Sequence, residues 1–219
     1  MKSTYLVSRG PFGEATARYF RELMKNRIKD FTAIETLLDN SQDVESIVAV
    51  FWKPCDELCA ALNKLSYDLR VPFLPLVANG GELVAGPLVI PGSSACWLCW
   101  SKRSKQHGKW LQYRSVVNQY YLLHPDAGPQ GYLESVAFMG AAFLSSTLTS
   151  VRLGLAQAGA IWQINPVRAA ITTGRAVGVH GCSLCGLQNR KESRTYIDLQ
   201  TFVGGLQRRK RKNDEHDRT

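Results

Sequence analysis

Two short cysteine pairs constrain this chain more than anything else in it: Cys96-Trp97-Leu98-Cys99 and Cys182-Ser183-Leu184-Cys185. A two-residue spacer lets each pair turn both sulfurs to one point. Together the pairs offer four thiolates to one ion at about 2.3 Å, the distance tetrahedral zinc prefers. Four sulfurs complete the coordination sphere and leave no position for water. The spacing therefore predicts a structural Zn2+ held by Cys96, Cys99, Cys182 and Cys185. Any fold must then bring the two pairs together across the long segment between them. Gly181 and Gly186 bracket the second pair with permissive backbone. The alternative is four reduced or redox-active thiols, although a redox C-x-x-C needs no twin.

The other candidates near this chemistry are weaker. Cys55 and Cys59 stand four apart on a predicted helix and read as small buried apolar residues rather than a third ligand pair. His180 reads as a neighbour of the site that packs or supports it, since four sulfurs already suffice. The opening MKSTYLVSRG has no apolar core of a secretory signal. Six cysteines without a signal point to a reducing compartment, so the expected location is the cytoplasm. Leu83 to Ser101 is broken by Pro87 and Pro91, and Ser135 to Val151 carries six Ser and Thr residues. Neither resembles the roughly 20 mostly apolar residues of a membrane span, and no membrane partner is expected.

Hydrophobic periodicity gives an α/β chain. Thr4–Ser8 reads as a strand, Arg9 to Gly13 as a turn, and Ala15 to Lys25 as a helix with Tyr19, Phe20, Leu23 and Met24 at helical spacing. A second strand is expected over Phe31–Leu37, ending at Asp39-Asn40. The uninterrupted run Ile47–Trp52 suits a strand buried on both faces of a parallel sheet. Pro54 leads into a helix from Cys55 to about Leu69. Val71–Val77 reads as a strand whose prolines place it at an edge or sheet end. Asn79-Gly80-Gly81 then turns the chain into a hairpin arm over Glu82–Ile90. The span from Gln106 to Gly131 reads as a long ordered loop, Leu133 to about Gln157 as a long apolar helix, and Ile161–Val179 as further strands. Residues 1–92 form a remnant of a nucleotide fold, 93–205 the cysteine-pair and long-helix part of the same domain, and 206–219 a basic tail.

Gly10 and Gly13, between a strand and a helix, stand where a G-x-G-x-x-G fingerprint would meet a pyrophosphate. Here Pro11 removes one donor amide and Phe12 is bulky, while Glu35 and Asp39 are unspecific candidates for the acidic partner. The turn is expected to keep its shape without its phosphate cradle.

The sequence as a whole resembles a family. Val71-Pro72-Phe73-Leu74-Pro75-Leu76, then Gly86-Pro87-Leu88-Val89-Ile90-Pro91-Gly92 running into Cys96-x-x-Cys99, looks like the ThiF/MoeB group of ubiquitin-activating-enzyme-like proteins. The apolar helix from Leu133 and the closing His180-Gly181-Cys182-x-x-Cys185-Gly186 match as well. More specifically the chain resembles the ThiF-like partner proteins of thiazole- and oxazole-forming peptide biosynthesis, among them the zinc-containing subunit of the microcin synthetase. The resemblance covers most of residues 1 to about 190. It implies a degenerate ThiF-like, Rossmann-type sheet with a structural four-cysteine zinc site. It also implies a non-catalytic subunit that recruits or activates a YcaO-type ATP-dependent cyclodehydratase, with a flavin-dependent dehydrogenase in the same assembly, a precursor peptide as shared substrate, and a homodimer. The Arg, Lys and Asp set that adenylating members place around ATP does not map onto this chain. The first strand opens at residue 4, so leader recognition is expected to be weaker here, to sit on another chain or to use a different surface.

Two rivals remain: an adenylating enzyme acting on a peptide or carrier-protein C-terminus, and a zinc-dependent nucleic-acid-binding module. The second draws on a net charge of +9 and on Lys102, Arg103, Lys105 and Lys109 interleaved with Trp97, Trp100 and Trp110. A helix that exposes its basic face and turns its tryptophans inward explains the same pattern, so nucleic acid is not the expected partner. Tyr113, Tyr120, Tyr121 and His124 are read either as a partner-binding surface or as cover for the sheet. No Ser/His/Asp or Cys/His arrangement with readable spacing is present, and no catalytic residue is expected.

Overall fold

The computed structural model describes residues 2–31, 43–79, 81–107 and 111–186. Their centre is one seven-stranded sheet in the order β2-β1-β3-β4-β5-β6-β7. The strands are β1 (Ser3–Arg9), β2 (Ile28–Asp30), β3 (Val44–Phe51), β4 (Phe73–Asn79), β5 (Glu82–Ala85), β6 (Ala160–Asn165) and β7 (Ala170–Arg175). The first four run parallel. The last three continue the sheet as an antiparallel meander.

Side-chain alternation along the parallel strands decides which helix covers which face. Leu6, Val48, Val50, Leu74 and Leu76 point to the face covered by α1 (Gly10–Met24) and by a long apolar helix, Glu134–Arg152. Tyr5, Val7, Ile47, Ala49, Phe51 and Phe73 point the other way, onto α2 (Asp56–Leu69) and α3 (Trp97–His107). A further helix, α4 (Leu111–Leu123), follows α3, and the long helix is α5. The result is three layers, helix–sheet–helix, around the strands that the sequence marks as continuously apolar.

Several expectations change. Gly10 to Gly13 is the first turn of α1 rather than a separate turn, because Pro at N1 or N2 costs no intrahelical hydrogen bond. The strand at Phe73–Asn79 lies in the middle of the sheet, not at an edge. Pro75 is accommodated there because its missing N–H faces the side where the neighbouring chain bulges. Phe73 exchanges both hydrogen bonds with Val89, while Gly86 N–H donates to Pro75 O at 2.8 Å and strand β5 has already ended at Ala85. The arm expected over Glu82–Ile90 is thus interrupted at Gly86-Pro87. Most of the span from Gln106 to Gly131 is not loop, since α4 fills its centre; the β-branched and aromatic residues of LQYRSVVNQYYLL hide its helical pattern. The long helix ends at Arg152, short of Gln157. Only Phe31 of the expected Phe31–Leu37 strand, and neither Glu35 nor Asp39, falls among the described residues, and the basic tail lies outside them too.

A helix apolar on all sides calls for burial on every face. In this chain one side is buried, through Ala137, Gly140, Ala141, Leu144 and Leu148, and Phe138 on the other is half exposed. Among the described residues no helix is long and apolar enough to cross a membrane. The α1–α5 contact is the most extensive between helices, and Gly140 allows it. A Cβ there would stand 2.9 Å from Leu76 Cδ2 and 3.5 Å from Thr16 Cγ2. Gly140→Leu should therefore force α5 off the sheet and lower stability by about 1–3 kcal/mol, the usual cost of overpacking a filled core. Urea unfolding followed by far-UV circular dichroism would read this directly, and an unchanged midpoint would show that α5 does not sit this close.

Candidate metal centre

Cys96 stands immediately before α3 and Cys99 lies in its first turn, so both sulfurs gather at a helix N-terminus, where unpaired N–H groups favour negative charge. A neighbouring helix fixes that end. Buried Asn63 of α2 accepts the Trp97 backbone N–H with its Oδ1 at 2.9 Å. Buried Ser94 accepts the Ile90 N–H at 2.8 Å and closes the turn that delivers Cys96. The second pair follows β7. Ala176 N–H donates to Gly159 O at 2.8 Å and carries the chain off the sheet toward α3. Around Cys182–Cys185 the turn is tight: Gly186 N–H donates to Cys182 O at 2.8 Å, and a Cβ at Gly186 would lie 2.5 Å from that oxygen.

These elements bring all four sulfurs together. The Sγ atoms of Cys96, Cys99, Cys182 and Cys185 lie within 4.8 Å of one another. Cys96 and Cys182 are 3.5 Å apart, and Cys99 and Cys185 3.3 Å. Both separations are far longer than the roughly 2.05 Å of a disulfide, and all four cysteines are free thiols. Four sulfurs 2.3 Å from a tetrahedral centre stand about 3.8 Å apart along each edge, so the donor set fits a tetrahedral metal ion with little adjustment. Ala95, Ala176, Val179, Leu98 and Trp100 surround it with apolar atoms. As free thiols, Cys96 and Cys99 resist ionisation. Hydrogen bonding to Cys185, then burial, raises Cys96, and burial pushes Cys99 up to about 11 against the opposing Val179 N–H, which lies 3.3 Å from its sulfur. A divalent cation reverses that preference, because each thiolate then has a positive partner in a dry site.

The remaining candidates stand apart from the centre. His180 is exposed, and its ring nitrogens are not among the clustered ligand atoms. Cys59 is buried on the α2 side of the sheet among apolar neighbours, as expected of a small buried residue, whereas Cys55, at the N-cap of α2, is only partly buried. Trp97 is buried and Trp100 partly buried against the same core, while Lys105 pairs with Asp56 at 2.7 Å and Arg103 donates to Gly178 O. Lys109 and Trp110 lie outside the described residues. Tyr113 and Tyr120 are exposed, and Tyr121 packs against Lys53. Asn63 and Ser94 went unnoticed in the sequence: each is one polar residue in an apolar segment, and only the meeting of α2 with α3 gives it a role.

No family model matches this chain, and no curated protein does. Solved structures do. The heterocyclase TruD is similar over 84% of this chain and 27% of its own, with a TM-score of 0.57 at 20% identity. A heterocyclase in complex with substrate and cofactor gives 0.63 at 17% identity, over 84% of this chain and 25% of that one. E. coli MccB with ATP gives 0.53 at 13% identity, over 84% and 66%. The chain thus has the fold of these proteins and spans about a quarter of the heterocyclase chains.

Burial also pushes the half-buried Cys55 thiol up to about 11. At pH 8 it is almost wholly protonated. Its alkylation by iodoacetamide should then rise roughly tenfold per pH unit toward pH 11, because only the thiolate reacts. Peptide mass spectrometry across that range measures the profile, and a midpoint near the ordinary thiol value of about 8.5 would place Cys55 in solvent instead.

Proposed function

We propose that this chain is a zinc-bearing, non-catalytic scaffold of a peptide heterocyclase: a ThiF-like subunit that partners a YcaO-type ATP-dependent cyclodehydratase and helps present its precursor peptide. The observation that carries this reading is the recurrence of the same α/β unit within heterocyclase chains, of which it matches 25–27%. In this reading Cys96, Cys99, Cys182 and Cys185 hold one structural Zn2+, which fastens α3 to the chain after β7. A flavin-dependent dehydrogenase would join the same assembly to oxidise the azolines, in the reducing cytoplasm that keeps the four thiols available.

A homodimer belongs to the same proposal. The outer side of α5 leaves Phe138 half exposed close to exposed Leu133 and Tyr132, an apolar surface that a second copy would cover. Light scattering that gave a strict monomer, free and in complex, would remove this element.

Two measurements test the whole. Metal analysis of the purified chain should find one zinc per copy. Cys182→Ser should lose it and destabilise the protein by more than about 2 kcal/mol, since structural zinc contributes folding free energy directly. Co-expression with a YcaO-type enzyme from the same gene cluster, followed by native mass spectrometry, should recover a stable complex that makes azolines faster than the enzyme alone. Full cyclodehydration without this chain, or no complex, would sink the scaffold reading.

A further inference from the structure

In an open α/β sheet, ligands bind outside the carboxyl ends of the strands, at the point where strand order reverses. Here that point lies between β1 and β3, since the chain passes from β1 to β2 on one side and returns to β3 on the other. MccB shares this fold and is known with ATP. The residues at the corresponding crevice of this chain do not fit a nucleotide. We infer that the chain fills the crevice itself: the Trp52 indole takes the space of a ligand, and Lys53 ties residues 124–127 over it.

The geometry is specific. Trp52 follows β3 directly, and its N–H donates to Arg9 O at 3.3 Å, joining the carboxyl ends of β1 and β3. Its ring lies on the first residue of α1. A Cβ at Gly10 would stand 2.1 Å from Trp52 Cδ2, and Gly10 has φ +74°, so this position is reserved for glycine twice over. The other edge of the indole meets Gly128, where a Cβ would lie 2.1 Å from Nε1. Two glycines thus clear a slot whose width matches one aromatic ring. Trp52 is 9% exposed, and its buried Nε1–H has no acceptor among the described residues. Its place is set by shape, not by a hydrogen bond.

Lys53 closes the arrangement. It is 4% exposed, and its Nζ donates to Pro125 O and Ala127 O at 2.6 Å each, with His124 O at 3.5 Å. The same ammonium lies 4.7 Å from the Trp52 ring and 4.5 Å from the Tyr121 ring. A phosphate needs free N–H groups and free positive charge at a helix N-terminus. This N-terminus carries Pro11 and sits under an indole, and its nearest buried cation already faces carbonyl oxygens. The inference stands apart from the heterocyclase reading, because it concerns only this chain and a nucleotide.

A double-mutant cycle on the full chain tests the slot. Gly128→Ala should lower the melting temperature by several degrees when Trp52 is present and change it little in Trp52→Ala, because the added methyl then enters the vacated space. Trp52→Leu serves in the same cycle if Trp52→Ala fails to fold. Lys53→Met should speed amide exchange at residues 124–128 by about tenfold or more, the loss expected when charge-assisted hydrogen bonds are removed. Calorimetric titration of the wild-type chain with Mg-ATP should show no saturable binding into the millimolar range. Equal cost of Gly128→Ala in both backgrounds, unchanged exchange in Lys53→Met, or saturable ATP binding would each overturn the inference.

Discussion

Strand β3 is the member on which the rest of the molecule depends. It is hydrogen-bonded to a parallel strand on either side and buried on both faces. Val48 and Val50 take the α1–α5 face, while Ile47, Ala49 and Phe51 take the α2–α3 face. A strand in that position leaves no backbone group for water, so its ladder and both helical layers form together. The ends of β3 then fix what is farther away. Near its start, Glu45 receives a bidentate pair from Arg152 at 2.6 and 2.9 Å, holding the last turn of α5. Directly after its end come Trp52 and Lys53.

From that frame the molecule closes itself at two places by unlike means. At the switch point, closure uses shape and one buried cation that faces backbone carbonyls. Beyond the meander, closure uses four sulfurs that cost free energy to bury as thiolates and become favourable only with a cation among them. The two closures also hold the segment that carries α4 on both sides. One end of it starts at Cys99 in α3, and the stretch after α4 is held through Pro125 and Ala127. That segment carries exposed Tyr113, Val116, Tyr120 and Leu123, so its attachment at both ends determines what surface α4 offers.

Legibility in the sequence divides along the same line between local and long-range causes. The run IVAVFW announced β3 because a strand buried on both faces must be apolar at every position. The cysteine pairs announced their cluster because two C-x-x-C elements in one chain have few uses other than holding one ion. Pro75 misled, since its tolerance in a central strand depends on a bulge at Gly86 that lies eleven residues away in sequence and across a strand. The segment holding α4 misled because Tyr, Val and Asn are poor helix formers, and propensity is a weak prior beside tertiary context. Asn63 capping α3 carries no local signal at all.

The glycine turn shows the same division within one motif. G-P-F-G reads as a phosphate-loop position altered by Pro11 and Phe12. What fills the altered site is not written near it: the indole comes from the end of another strand, forty-two residues on, and its second glycine from beyond α4. Gly10 adopts φ +74° without strain because it has no Cβ, whereas any side chain there would be strained and would also collide with Trp52. The conformation that a nucleotide fold uses to approach a pyrophosphate is thereby retained to approach an aromatic ring. The fold keeps its shape at that point while the chemistry associated with it is excluded by packing.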